Sequence, residues 1–139
     1  MKKLFYILSI TSVCFFSCSA TNNQPDCENM ICTQEFRMVQ VVFKDSVGKP
    51  LNVKAFSAVN KRTGENMAQN SDPSNEPSQG VYIVASDADV RKLSEKGDVI
   101  QVSASHPVTN KNVISEFVVT GGICACHINK ISGPSEIVL

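Results

Sequence analysis

From Glu35 onward, apolar and polar positions alternate in short runs broken by glycine, proline and asparagine. Phe36–Phe43 reads as a strand, with Val39, Val41 and Phe43 on one face by the two-residue period of an extended chain. The turn DSVGKP follows at 45–50. Leu51–Val59 reads as a second strand; Leu51, Val53 and Ala55 share one face before Phe56 and Ala58 take over on the other, which predicts a bulge. Residues 60–80 are polar, with Pro73 and Pro77, and read as a long loop. Val81–Ala85 is a short strand. The pattern then breaks: Ser86 can cap a helix over residues 87–96, with Asp89 placed for a capping box and Gly97 as its stop. Alternation resumes at Asp98, where Ile100, Val102 and Ala104 face inward. His106–Asn112 is a turn, Val113–Thr120 and Ile123–Ile131 are strands separated by Gly121-Gly122, and Glu136–Leu139 closes the chain after Ser132-Gly133-Pro134. Seven short strands and one short helix predict a mainly β, antiparallel Ig-like sandwich.

The first residues follow a different pattern. Lys2 and Lys3 precede a mostly apolar run, Leu4–Phe16, and Ser17 stands before Cys18. The run of about 13 residues is too short to span a bilayer, which takes ~20. It reads as an export signal over residues 1–17, with Cys18 as the lipid-attachment cysteine. Cys14 is the weaker candidate, because branched Val13 precedes it, and cleavage after Ala20 is the competing signal-peptide reading. Residues 18–26 (CSATNNQPD) then form a lipidated flexible tether, and residues 27–139 the β-sandwich domain. The expected location is the cell envelope, anchored to the outer membrane by lipid; the membrane is therefore one partner, and an envelope protein or glycan the other.

Charge alters this picture little. The chain carries 13 basic and 13 acidic residues; losing the signal with its two lysines leaves a net charge of −2. No basic stripe argues for nucleic acid.

The cysteine count does alter it. Of six cysteines, Cys14 leaves with the signal and Cys18 takes the lipid. Cys27, Cys32, Cys124 and Cys126 remain, an even number in an exported chain, and this favours two disulfides. On a regular strand Cys124 and Cys126 lie ~6.6–6.8 Å apart, a poor geometry for bonding each other, so each is expected to reach back to Cys27 or Cys32. The alternative is a metal-binding or thiol-based enzyme using Cys27, Cys32, Cys124, Cys126 and His127, for which zinc would need four ligands. Three ligands from residues 124–127 cannot converge on a regular strand, because alternate side chains point apart.

Other candidate chemistry is sparse. His106 and His127 are the histidines, and no G-x-S-x-G, H-E-x-x-H or phosphate-loop spacing occurs. Asp87 and Asp89 lack the further oxygen ligands and the glycine of a calcium loop and read as helix-end charges. The expectation is a non-catalytic module, with no cofactor, whose 60–80 loop is the contact surface.

The stretch FKDSVGKPLNVKAFSAVNKRTGE, followed by GVYIV, resembles the opening of a carboxypeptidase-regulatory-like (transthyretin-like) β-sandwich. The matching positions are Asp45, Gly48 and Pro50 of a D-x-x-G-x-P turn, then Thr63-Gly64, then Gly80 and Tyr82. Transthyretin-like enzymes that hydrolyse hydroxyisourate end in Tyr-Arg-Gly-Ser, whereas this chain ends Glu-Ile-Val-Leu. ICTQEFR near the start and CHINKISGPSEIVL at the end resemble small Bacteroidota-type envelope lipoproteins of unassigned activity, a resemblance that implies an envelope location and no catalytic role. Asp45-Ser46-Val47 also matches the D-[S/T]-aliphatic pattern for O-glycosylation at Ser46 in such bacteria; a plain turn is the competing reading.

Overall fold

The computed structural model describes Cys27, residues 30–68 and residues 80–139. The expected signal (1–17), Cys18 and the tether (18–26) lie outside the described residues, as do residues 69–79 of the polar loop. The described chain is mainly β, in two sheets. One holds β3 (Val81–Ser86), β1 (Met38–Lys44) and β7 (Glu136–Val138), in that order. The other runs β2 (Lys54–Asn60), β4 (Asp98–Ser105), β5 (Asn112–Thr120) and β6 (Asn129–Ser132).

Alternation dictates which faces meet. Val39, Val41 and Phe43 of β1 are buried, as are Ile100, Val102 and Ala104 of β4 and Phe117 and Val119 of β5. At one end of the core Phe43, Phe56 and Tyr82 stack edge to face or tilted, with ring centroids 4.6–6.1 Å apart. Burial raises the Tyr82 phenol above its usual pKa; its hydroxyl accepts the Val53 N–H at 2.8 Å and donates to the Val53 carbonyl at 3.1 Å. A bulge lies opposite Val39/Gln40, where the register passes over Val84. It places Val84 and Ala85 of β3 both inside.

Several expectations change. The sheets are not wholly antiparallel: β7 runs parallel to β1, Val42–Lys44 beside Glu136–Val138. β2 begins at Lys54 instead of Leu51, and the bulge expected there is present, with the register shifting between Lys54 and Ser57 and Ala55 at φ 50°. The start of the 60–80 segment is ordered: Gly64 N–H bonds Asn60 O, Asn66 bridges back to Val59, and Met67 is buried. This return strip covers the outer edge of β2. The helix is a six-residue 3-10 turn, Asp87–Lys92, shorter than the expected 87–96. Leu93 leaves it in extended conformation to enter the core, and Asp98 captures the next amide, Ser94 N–H, at 3.2 Å. Asp89 does fill its capping role, accepting the Ser86 N–H at 3.1 Å.

The largest departure is at 123–131. Only Asn129–Ser132 is strand; residues 121–128 form a turn-rich loop. Gly121 brings this loop against the 3-10 turn, where a Cβ would lie 2.5 Å from the Val90 carbonyl oxygen, and Gly122 N–H bonds that same oxygen at 2.7 Å.

Candidate functional site

Strand direction gives the domain two distinct ends. Met38 of β1, Asn60 of β2, Asp98 of β4 and Thr120 of β5 lie at one, together with the 3-10 turn and the 121–128 loop. Lys44, Lys54 and the 106–112 turn lie at the other. All four cysteines collect at the first end. Cys27 bonds Cys124 and Cys32 bonds Cys126, with Cα separations of 5.4 and 5.3 Å. Each C-terminal cysteine reaches back to the N-terminal pair as expected, with the connectivity set by the fold, but the strand expected over 123–131 begins only at Asn129. Cys124 and Cys126 lie on the loop before β6, so strand alternation is not what orients them.

His127 follows the second disulfide and turns inward. Its Nδ1 lies 2.7 Å from Asp87 Oδ2, and its Nε2 lies 2.9 Å from Thr33 Oγ1. Asp87 is a hub: Oδ2 also accepts the Arg37 N–H at 2.8 Å, and Oδ1 accepts the Ile128 N–H at 2.8 Å. Burial disfavours its charge, yet the hydrogen bonds from Arg37 N–H, His127 and Ile128 N–H outweigh that effect and hold its carboxyl below the usual aspartate range. Asp87 is therefore not simply a helix-end charge. It joins three segments distant in sequence: the arm at 33–37, the 3-10 turn and the 127–128 corner.

Thr33, His127 and Asp87 have the hydroxyl–imidazole–carboxylate order of a hydrolase triad. Their surroundings favour a clamp. The Glu35 carboxylate lies 3.8 Å from His127 Nε2, the nitrogen that meets Thr33, so its negative charge opposes the charge a reacting Thr33 would develop. Arg37 pairs with Glu35 and, with lesser help from His127, lowers the Glu35 pKa. A groove of about 450 Å³ lies between Arg37–Gln40 and Ile128–Lys130, and neither Thr33 nor His127 lines it.

A second polar hub lies at the same end. Asp98 is buried and accepts two hydrogen bonds from the Arg62 guanidinium at 2.7 Å each, one from Asn60 Nδ2 at 2.7 Å and one from Ser94 N–H. Arg62 dominates in lowering the Asp98 pKa, against the effect of burial, with Asn60 and Ser94 adding to it. Sequence reading passed over Asp98 because a strand-opening aspartate has many uses; its one local signal is an acidic residue on the inward face of an otherwise apolar alternation.

The remaining candidates are ordinary by geometry. His106 Nδ1 accepts the N–H groups of Val108 and Thr109 within its own turn. Ser46 is exposed, in a turn built by Asp45 Oδ1, which accepts Val47 and Lys49 N–H at 3.0 and 2.8 Å. With four sulfurs in disulfides, no thiolate among them is free to bind metal or act as nucleophile. No group of three or more histidine, cysteine or acidic side chains among the described residues is placed to hold a metal ion. No helix among the described residues is long and apolar enough to cross a membrane. No protein-family model, curated protein or solved structure matches the chain.

Proposed function

We propose that this protein is a lipid-anchored cell-envelope module of Ig-like, transthyretin-like type, non-catalytic, attached through Cys18 and acting as a binding or structural element. The observation that carries this reading is the pair of disulfides immediately beyond the expected tether, since such bonds persist in oxidising compartments outside the cytoplasm. The short apolar leader ending at Ser17-Cys18 supports the lipid. The clamp around Asp87 supports a structural use of His127. Intact mass of the membrane-extracted protein tests the anchor directly. A chain beginning at a diacylglyceryl-modified Cys18 is the expected result; Cys18→Ser should lose the modification, and globomycin, which blocks cleavage after lipid transfer, should leave it on a chain that keeps residues 1–17. An unmodified chain cleaved after Ala20 refutes the anchor.

The groove favours a second reading, an accessory module that binds a peptide or carbohydrate. β7 meets β1 only at Val42–Lys44, so among the described residues no strand pairs with Met38–Val41 on the side away from β3. That edge faces β6 across the groove and offers a track for an extended chain. A peptide and glycan array on the intact protein tests it; a ligand whose binding survives both Gln40→Pro and Lys130→Glu does not use the groove.

A further inference from the structure

The exposed large apolar side chains are unevenly distributed between the two ends. Met30, Ile31, Phe36, Met38 and Ile123 are all solvent-exposed, Ile31 at 94% and Phe36 at 61%. Bonds made by their chain neighbours place them at the end that holds the disulfides. Ile31 adjoins Cys32, which is bonded to Cys126; Ile123 adjoins Cys124, which is bonded to Cys27. Phe36 and Met38 flank Arg37, whose N–H is held by the same Asp87 that holds Ile128 N–H. The clamp leaves these side chains outside the core and fixes the backbone that carries them. The opposite end exposes the shorter Val47, Val108 and Val138, with Ile114 on β5 also exposed toward it, opposite Ser103.

The chain that precedes this end specifies what covers it. Nine peptide steps separate Cys18 from Cys27. Fully extended they reach at most ~32 Å, and as a flexible coil about 17 Å root mean square. The expected tether ends at Cys27, which is bonded to Cys124 at this same end. The far end lies beyond the length of β5, nine residues or roughly 27 Å. At the coil length the tether falls short of the far end, so a lipid on Cys18 keeps the apolar end nearer the bilayer.

From this juxtaposition we infer that the disulfide-clamped end is a membrane-facing foot, with Ile31, Phe36 and Ile123 seated in the lipid headgroup and upper acyl region. This rests on the lipid-anchor reading above. Contact of this kind needs an apolar surface only ~5–10 Å deep, held against the bilayer by a second attachment. Lipidation supplies that attachment, and the two disulfides supply the rigidity that keeps the foot aligned with it.

The chain contains no tryptophan, so single substitutions at exposed sites report their own surroundings. The test uses the full lipidated protein in phosphatidylethanolamine–phosphatidylglycerol vesicles, with and without lipids brominated high in the acyl chain. Ile31→Trp and Phe36→Trp are expected to blue-shift and to lose about half their emission to the bromines, while Val108→Trp is unaffected, as interfacial insertion of one end requires. Vesicle flotation with no quenching at either foot position overturns the foot and leaves the anchor standing. A blue shift without bromine quenching overturns it in favour of a second protein copy covering the patch. Equal quenching at Val108 overturns the orientation. Failure to float with the vesicles overturns the anchor and the foot together.

Discussion

The two disulfides share one ring, and this sets how their losses combine. Cys27–Cys124 and Cys32–Cys126 close sequence separations of 97 and 94 residues. Independent cross-links of that size would each stabilise by about 4.7 kcal/mol through the unfolded-state entropy they remove. They are not independent. With either bond in place, the other closes a ring of only about seven residues, five between Cys27 and Cys32 and two between Cys124 and Cys126. The same relation assigns such a ring about 2.5 kcal/mol. Replacing one pair, as Cys32→Ser with Cys126→Ser, should therefore cost about 2.5 kcal/mol, and so should replacing the other. Replacing all four cysteines should cost about 7 kcal/mol, comparable to the whole stability of a domain of this size. Urea unfolding of the non-reduced protein, followed by far-ultraviolet circular dichroism, measures all three variants. The single-bond variants should unfold cooperatively at lower midpoints, and the four-serine variant should be largely unfolded before urea is added. A single-bond loss near 4.7 kcal/mol, or a four-serine variant no less stable than a single-bond one, would refute the shared-ring argument.

Other outcomes follow from the polar hubs and the loop contact. Asp87→Asn keeps one good acceptor where three donors converge, so it should cost about 2 kcal/mol, read as a drop in thermal midpoint with both disulfides intact. Asp87 and Asp98 both have lowered pKa values in the folded protein. The unfolded chain then binds more protons in acid, so their contribution is present above about pH 4 and is lost as pH falls through the lower folded values. Urea midpoints should be flat from pH 5 to 7 and fall below about pH 4 in the native protein, and the acid loss should shrink in Asp87→Asn. Gly121→Ala drives a methyl to 2.5 Å from the Val90 oxygen, which should cost about 2 kcal/mol by equilibrium unfolding. Thr33→Val should change stability by less than about 0.5 kcal/mol, and hydroxyl-directed probes such as fluorophosphonates and β-lactones should leave Thr33 unlabelled; labelling there would establish the triad as reactive.

Local patterns were legible where one face of a strand meets the core. The alternation of Val39, Val41 and Phe43 and of Ile100, Val102 and Ala104 located β1 and β4, and the face switch after Ala55 located a bulge. The same logic misread residues 123–128. Apolar and polar residues alternate there too, but Asp87 takes the Ile128 amide, two sulfurs are bonded to a distant arm, and Gly122 adopts φ 125°. The resulting loop is held by partners about 40 and 97 residues away in sequence, which no window of local pattern contains. Asp87 was assigned to a helix end for the same reason: its neighbours in sequence are the helix, and its hydrogen-bond partners are elsewhere.

The sequence by itself determined the mainly β class, most strand positions, the pool of four cysteines available for pairing and the expectation of an exported, tethered domain. These depend on period, composition and count, properties carried within short stretches of chain. Tertiary structure decided which cysteine meets which, the parallel seating of β7 on β1, and the convergence of Thr33, Asp87 and His127 at the end where the disulfides lie. Those outcomes require segments far apart in the chain to satisfy one another's donors, acceptors and bonding distances at once, a condition met only when the whole domain has closed.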